Sequence, residues 1–115
     1  DTAPTEIYTL SLHDALPILA LEGRPIPARG VLAVAPAVRD PDAFAPLIPP
    51  ARDRGLRAWF LVGEEDPLVG PVRRLAGAMQ GQGFPCRLVV LPGLGHDFPA
   101  DFTARAVEAV RFLLE

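Results

Sequence analysis

Three short apolar segments, each ended by proline or glycine, constrain the fold of this chain more than any other feature. They are GVLAVAPAV (residues 30–38), RAWFLVGEEDP (residues 57–67) and CRLVVLPGLGH (residues 86–96). Continuous apolar runs of about five or six residues between turn residues are typical of strands buried on both faces of a parallel sheet. A surface helix would be longer and would carry a polar stripe. The sequence therefore predicts three buried parallel strands.

Helical patterns lie between and after these strands. In residues 67–83 and again in residues 101–115, apolar side chains recur every three or four positions, as in amphipathic helices. The apolar face of the second helix is predicted to consist of Phe102, Ala106, Val107, Val110, Leu113 and Leu114. Strands that alternate with helices predict an α/β fold with a partial parallel sheet of about three strands and flanking helices.

Two further segments have weaker patterns. Residues 18–24 (ILALEGR) resemble the last turns of a helix that begins earlier in the chain. Residues 39–55 are rich in proline and are predicted to form a loop or a short-turn connection.

Composition argues against several classes of function. The formal net charge of −3 disfavours nucleic acid as a partner, since surfaces that bind phosphate are usually basic. No apolar run approaches the roughly 18 residues of a membrane span. Cys86 is the only cysteine, which excludes an internal disulfide and a multi-cysteine zinc site and favours a reducing, cytoplasmic compartment.

Acidic residues follow the second predicted strand, and a histidine follows the third. Asp66 ends the segment GEED, and His96 ends the segment PGLGH. One helix and one strand separate them, so the chain returns to the same edge of a parallel sheet and the two side chains can meet. A carboxylate that pairs with one imidazole nitrogen fixes the tautomer and stabilises the imidazolium formed when the other nitrogen takes a proton. Asp66 and His96 are therefore the candidate catalytic residues.

Each of these residues also has a purely structural interpretation. An acid after a strand often caps the next helix, and a histidine in a glycine-rich loop often lies on the surface. Glu64 and Glu65 are weaker candidates, and Asp97 is expected to face solvent or to hold the loop. Cys86 begins a strand at the end of the sheet opposite His96, so it is predicted to be a core residue and not a nucleophile.

The segments LVGEEDPLV and LPGLGHDFP resemble the C-terminal part of an α/β-hydrolase, close to the esterase, dienelactone hydrolase and phospholipase/carboxylesterase branches. In that superfamily the order along the chain is nucleophile, acid, histidine. The resemblance covers residues 19–115 and matches Asp66 to the acid and His96 to the histidine. It implies a serine hydrolase that acts on small-molecule carboxylic esters or related acyl compounds, with no metal and no organic cofactor.

The chain departs from this superfamily at the nucleophile. It has no G-x-S-x-G segment, and no serine follows residue 18. Ser11 has no neighbouring glycine that would permit a strained turn, and Thr103 lies in the final predicted helix. The resemblance therefore implies that the parent protein has its serine upstream of Leu19 and that this chain alone is inactive.

The first 18 residues differ in character from the rest, since they hold the only serine and the only tyrosine. Residues 5–18 (TEIYTLSLHDALPI) resemble, at every position, the translation of a common short-read sequencing adapter. We therefore expect residues 1–18 to be adapter-derived and residues 19–115 to be the C-terminal part of a hydrolase domain. The alternative is a native segment with TEIYTL as a strand and SLHDAL as a helical turn, where His13 and Asp14 could form a site.

Two other functions remain open on the sequence. One is a non-catalytic α/β binding module, in which Asp66 and His96 are ordinary loop residues. The other keeps the hydrolase fold but changes the chemistry to that of a peptidase, an acyltransferase or a cofactor-free haloperoxidase.

Overall fold

The computed structural model describes residues 30–115 and the backbone of residues 7–11. The described elements are four strands, one 3-10 helix (η1) and three α-helices. In chain order they are β1 (Ile7–Ser11), β2 (Gly30–Val34), η1 (Pro41–Leu47), α1 (Ile48–Asp53), β3 (Arg57–Gly63), α2 (Val69–Gly81), β4 (Cys86–Leu91) and α3 (Phe102–Leu113).

The strands form one sheet in the order β1-β2-β3-β4, and every neighbouring pair is parallel. Strands β2, β3 and β4 begin where the three apolar segments begin, which confirms the predicted parallel sheet. All five residues of β2 are buried, as expected for a strand covered on both faces. Strand β1 adds a fourth member beside β2.

Strand β1 lies within residues 1–18, the segment that is predicted to be adapter-derived. Its sequence, IYTLS, includes Ile, Tyr and Thr, which favour extended structure. An open strand edge presents unpaired N–H and C=O groups to any such segment. The pairing of β1 with β2 therefore follows from strand propensity, whatever the origin of the segment. Residues 1–6 and 12–29 lie outside the described residues, together with the predicted helix end at residues 18–24 and with His13 and Asp14.

Helices cover both faces of the sheet and form two cores. One face packs against η1, α1 and α2, and the other packs against α3. Alternate side chains of each strand enter the two cores: Ala58, Phe60 and Val62 of β3 enter the first, and Trp59 and Leu61 enter the second. This alternation explains why the strands are apolar at nearly every position.

The prediction that residues 39–55 form a loop or a short-turn connection is wrong, because most of them form η1 and α1. Pro41 and Pro49 stand in the first turns of these helices, where the missing proline N–H is not needed. The Asp40 side chain accepts a hydrogen bond from the Asp42 N–H at 3.1 Å and caps η1. Phe44 and Ile48 are buried in the first core, and their burial stabilises both helices.

Helix α3 exists as predicted, but part of its predicted apolar face is wrong. Val107 is 50% exposed and Leu114 is 46% exposed, whereas Ala109 and Phe112 are buried. The residues that pack on the sheet are Phe102, Ala106, Ala109, Phe112 and Leu113. A helix that lies across a sheet buries only a narrow stripe, and Val107 falls outside that stripe.

This stripe predicts the effect of truncating side chains of α3. Leu113 is fully buried and lies over Gly30 of β2. Leu113→Ala should lower the free energy of unfolding by about 2–5 kcal/mol, because it removes buried methyl groups and leaves a cavity. Val107→Ala, the control on the exposed side, should change it by less than about 0.5 kcal/mol. Urea denaturation measures both values, and equal losses would contradict this assignment of the helix face.

Candidate active site

The parallel pairing of β3 and β4 brings two loops to one edge of the sheet. Gly63, the last residue of β3, pairs with Leu91, the last residue of β4. Asp66 follows in the turn after β3, and His96 follows in the loop after β4. Both side chains therefore start from the carboxyl edge of the sheet, where α/β proteins usually bind their ligands.

The structure brings Asp66 and His96 into contact. Nδ1 of His96 lies 2.8 Å from Oδ2 of Asp66. An ionised carboxylate can only accept hydrogen bonds, so this contact is a hydrogen bond in the tautomer that carries its proton on Nδ1, and in that tautomer Nε2 has a free lone pair. The Asp66 side chain is fully buried, whereas the His96 side chain is 37% exposed. The pair thus has a protected carboxylate and an accessible imidazole.

The Asp66 carboxylate is also held by the start of the next helix. Its Oδ1 accepts a hydrogen bond from the Leu68 N–H at 2.8 Å, so each carboxylate oxygen has a partner. The Asp66 N–H donates to the Gly63 carbonyl at 3.1 Å, and the Asp66 carbonyl accepts from the Val69 N–H at 3.0 Å. These bonds hold the Asp66 carboxylate in the orientation in which it contacts His96. Asp66 can therefore stabilise the start of α2 and pair with His96 at the same time.

The loop that carries His96 is tied to the turn after β3. The Glu64 N–H donates to the Leu91 carbonyl at 2.8 Å, and the Glu65 N–H donates to the Leu94 carbonyl at 2.9 Å. Gly93 has a φ of +75°, a conformation that favours glycine, and it lets the chain turn back after β4. The turn and the loop therefore behave as one hydrogen-bonded unit.

The weaker acidic candidates do not join the pair. The side chains of Glu64, Glu65 and Asp97 are exposed. Asp97 accepts a hydrogen bond from the Phe98 N–H at 2.8 Å, so it holds the loop locally. Glu64 and Glu65 contribute to the site through their backbone N–H groups, which the sequence alone did not indicate.

The structure describes the side chains of two other candidate nucleophiles, Cys86 and Thr103, and the backbone of a third, Ser11. Cys86 is buried at the amino end of β4, and burial raises the pKa of its thiol to about 12. Thr103 lies in the first turn of α3. Ser11 ends β1 and pairs in the sheet with Val34. Within residues 30–115, no group of three His, Cys, Asp or Glu side chains could hold a metal ion.

The described residues line an apolar cavity and an open cleft, and neither of these contains the Asp66–His96 pair. An apolar cavity of about 20 Å³ lies in the first core and is too small for a substrate. A cleft of about 300 Å³ runs along Leu91–Leu94 and the start of α3. Neither Asp66 nor His96 lines these cavities, so the candidate site rests on the geometry of the pair.

Among the described residues, no helix combines the length and the apolar character needed to cross a lipid bilayer.

The burial of Cys86 predicts a slow reaction with thiol reagents. At pH 8 a thiol with a pKa of about 12 is almost wholly protonated. The folded chain should therefore react with Ellman's reagent roughly 10³-fold more slowly than an exposed thiol. The reaction rate of the folded chain should keep rising as the pH increases above 9. The rate of the chain unfolded in guanidinium should level off in that range, because its exposed thiol is then ionised. Equal rates for the folded and unfolded chains would contradict the burial of Cys86.

Comparisons with known proteins show which solved structures have a similar fold. No family model matches the sequence, and no curated protein matches it. An uncharacterized protein from Bacillus cereus ATCC 10987 has a TM-score of 0.82 and 19% identity, over 94% of this chain and 36% of that chain. A predicted CIB-like hydrolase from Thermoplasma acidophilum has a TM-score of 0.65 and 20% identity, over 97% of this chain and 52% of that chain.

A third similar structure is esterase PE8, with a TM-score of 0.66 and 18% identity over 94% of this chain and 50% of that chain. The chain thus spans about a third to a half of the length of these proteins. At such low identity the likeness shows the fold alone. The parallel sheet, the covering helices and these similarities together identify the chain as having the fold of part of an α/β-hydrolase.

Proposed function

We propose that this chain derives from a serine hydrolase that acts on carboxylic esters or related acyl compounds, in which His96 is the general base and Asp66 orients it. One observation carries the proposal: Nδ1 of His96 lies 2.8 Å from a buried Asp66 oxygen at the carboxyl edge of the sheet. The name of one similar structure, esterase PE8, supports an ester as the substrate class.

The geometry of the Asp66–His96 pair determines the steps of the proposed ester hydrolysis. Nε2 of His96 takes the proton of a serine hydroxyl as the serine oxygen attacks the ester carbonyl. The Asp66 carboxylate stays ionised and stabilises the imidazolium that forms. His96 then gives the proton to the leaving alkoxide, and an acyl-enzyme remains. Water repeats the sequence with His96 again as the base, and the acid is released. The reaction needs neither a metal nor an organic cofactor.

The serine is the part of the triad that residues 19–115 lack. We propose that it precedes Leu19 in the parent protein and that residues 1–18 are adapter-derived. The match of residues 5–18 to a translated adapter supports this, as does the share of the similar structures that the chain spans. Strand β1 is parallel to β2, so a strand in its place would end at the same edge as Asp66 and His96.

Sequencing the source locus across the codons of Ile18 and Leu19, without the library adapter, tests this proposal. We expect a glycine-flanked serine about ten to fifteen residues before Leu19, a distance set by one loop and one helix. Genomic codons for residues 1–18 would overturn the adapter origin. A restored upstream sequence without such a serine would favour a non-catalytic binding module.

The chain as given should produce no burst of p-nitrophenol from p-nitrophenyl acetate. A burst requires a nucleophile that forms an acyl-enzyme, and the only serine, Ser11, has no neighbouring glycine that would permit the strained turn of a nucleophile. Stopped-flow absorbance at several chain concentrations measures the burst. A burst equal to the chain concentration would contradict the inactivity of this chain.

In the restored parent protein, substitutions at the pair should lower kcat/KM for p-nitrophenyl esters. His96→Gln and Asp66→Asn should each lower it roughly 10³- to 10⁴-fold, because the base or its correct tautomer is lost. Glu64→Gln, next to the same turn but with an exposed side chain, is the matched control and should stay within a few-fold of the unmodified enzyme. Full activity of either pair variant would exclude the proposed mechanism.

A further inference from the structure

The last residue of β3, Gly63, lies beneath the backbone of the His96 loop. A Cβ atom at this position would collide with the carbonyl group of Leu94 and would lie 2.5 Å from the carbonyl oxygen of Gly95. Cβ atoms in folded proteins essentially never approach other heavy atoms this closely. The Leu94–Gly95 segment therefore crosses directly over the end of β3, at a distance that only glycine permits.

Backbone conformation does not explain glycine at this position. Gly63 is part of strand β3, and it is not among the described residues that have a positive φ. Gly93 is different, since its φ of +75° is what requires glycine there. The requirement at Gly63 comes from the close approach of another segment, and because that segment is backbone, no change of rotamer could relieve the collision.

The crossing sets the positions of both members of the pair. Asp66 belongs to the turn that begins at Gly63, whose carbonyl accepts the Asp66 N–H. His96 follows Gly95 directly. The Leu94 carbonyl accepts a hydrogen bond from the Glu65 N–H at 2.9 Å, which fastens the loop at the crossing point. The height of the loop above β3 therefore determines how far His96 Nδ1 lies from Asp66 Oδ2.

We propose that Gly63 is a positioning residue for the Asp66–His96 pair, and that its missing side chain sets the distance between the imidazole and the carboxylate. A methyl group at this position would lift the Leu94–Gly95 segment and break the contact between Nδ1 and Oδ2. The catalytic meaning of this role rests on the proposed function, whereas the geometric role does not.

The test compares two glycine-to-alanine variants on opposite sides of the crossing. In Gly63→Ala the new methyl group points into the loop. In Gly95→Ala, the matched control, it meets no atom within 4 Å. The readout is the tautomer of the neutral His96 ring, from ¹⁵N shifts of histidine-labelled protein. His13→Gln assigns the signals of the two histidines, and Asp66→Asn gives the reference for a lost pair.

The unmodified chain and Gly95→Ala should both show His96 protonated on Nδ1, as the bond to Asp66 requires. Gly63→Ala should lose this tautomer preference and resemble Asp66→Asn. A folded Gly63→Ala with the Nδ1–H tautomer intact would overturn the proposal, as would an equal loss in Gly95→Ala.

A Gly63→Ala variant that does not fold calls for a measurement on the unmodified chain. A nuclear Overhauser effect between the Gly63 Hα atoms and the amide proton of Gly95 is then expected, and its absence would overturn the crossing. The histidine tautomer and the nuclear Overhauser effect are both measured without catalytic turnover. They therefore test the proposal even if the source locus encodes no upstream serine. If the parent is active, Gly63→Ala should lower kcat about 10²-fold with KM little changed.

Discussion

Burial of the strands on both faces is the constraint on which the rest of this structure depends. Strands β2 and β3 are covered by helices on either side, so their backbone groups can pair only along the sheet. The parallel direction of that pairing places the carboxyl ends of all four described strands at one edge. The acid and the histidine need only follow two neighbouring strands to come together there.

The pair combines a buried carboxylate with an accessible imidazole. A buried carboxylate is costly unless hydrogen bonds satisfy it, and here the Leu68 N–H and His96 satisfy its two oxygens. The exposed part of the His96 ring can then exchange a proton with a third group. The turn after β3 and the His96 loop hold this arrangement together. The Glu65 N–H in the turn donates to the Leu94 carbonyl in the loop, and the missing side chain of Gly63 lets the loop lie close to the end of β3. The geometry of the candidate site therefore depends on the turn after β3, on the His96 loop and on the end of β3 between them.

The sequence predicted the strands, the main helices and the order of Asp66 and His96, because apolar runs and turn residues are local patterns. The prediction for residues 39–55 is wrong because a proline in the first turn of a helix and a proline in a loop give the same local pattern. The prediction for Val107 and Leu114 is also wrong, because the face that a helix buries depends on how it lies across the sheet. The crossing at Gly63 could not be predicted, since it depends on the path of a loop about thirty residues away.

Labelling of the restored parent protein with a fluorophosphonate probe, followed by mass spectrometry of the modified peptide, tests the proposed roles of Asp66 and His96 most directly. We expect one labelled serine, encoded upstream of Leu19, and labelling that slows by orders of magnitude in His96→Gln. Labelling that ignores His96, or a parent protein in which no upstream serine is modified, would contradict the assignment of Asp66 and His96 to a serine hydrolase.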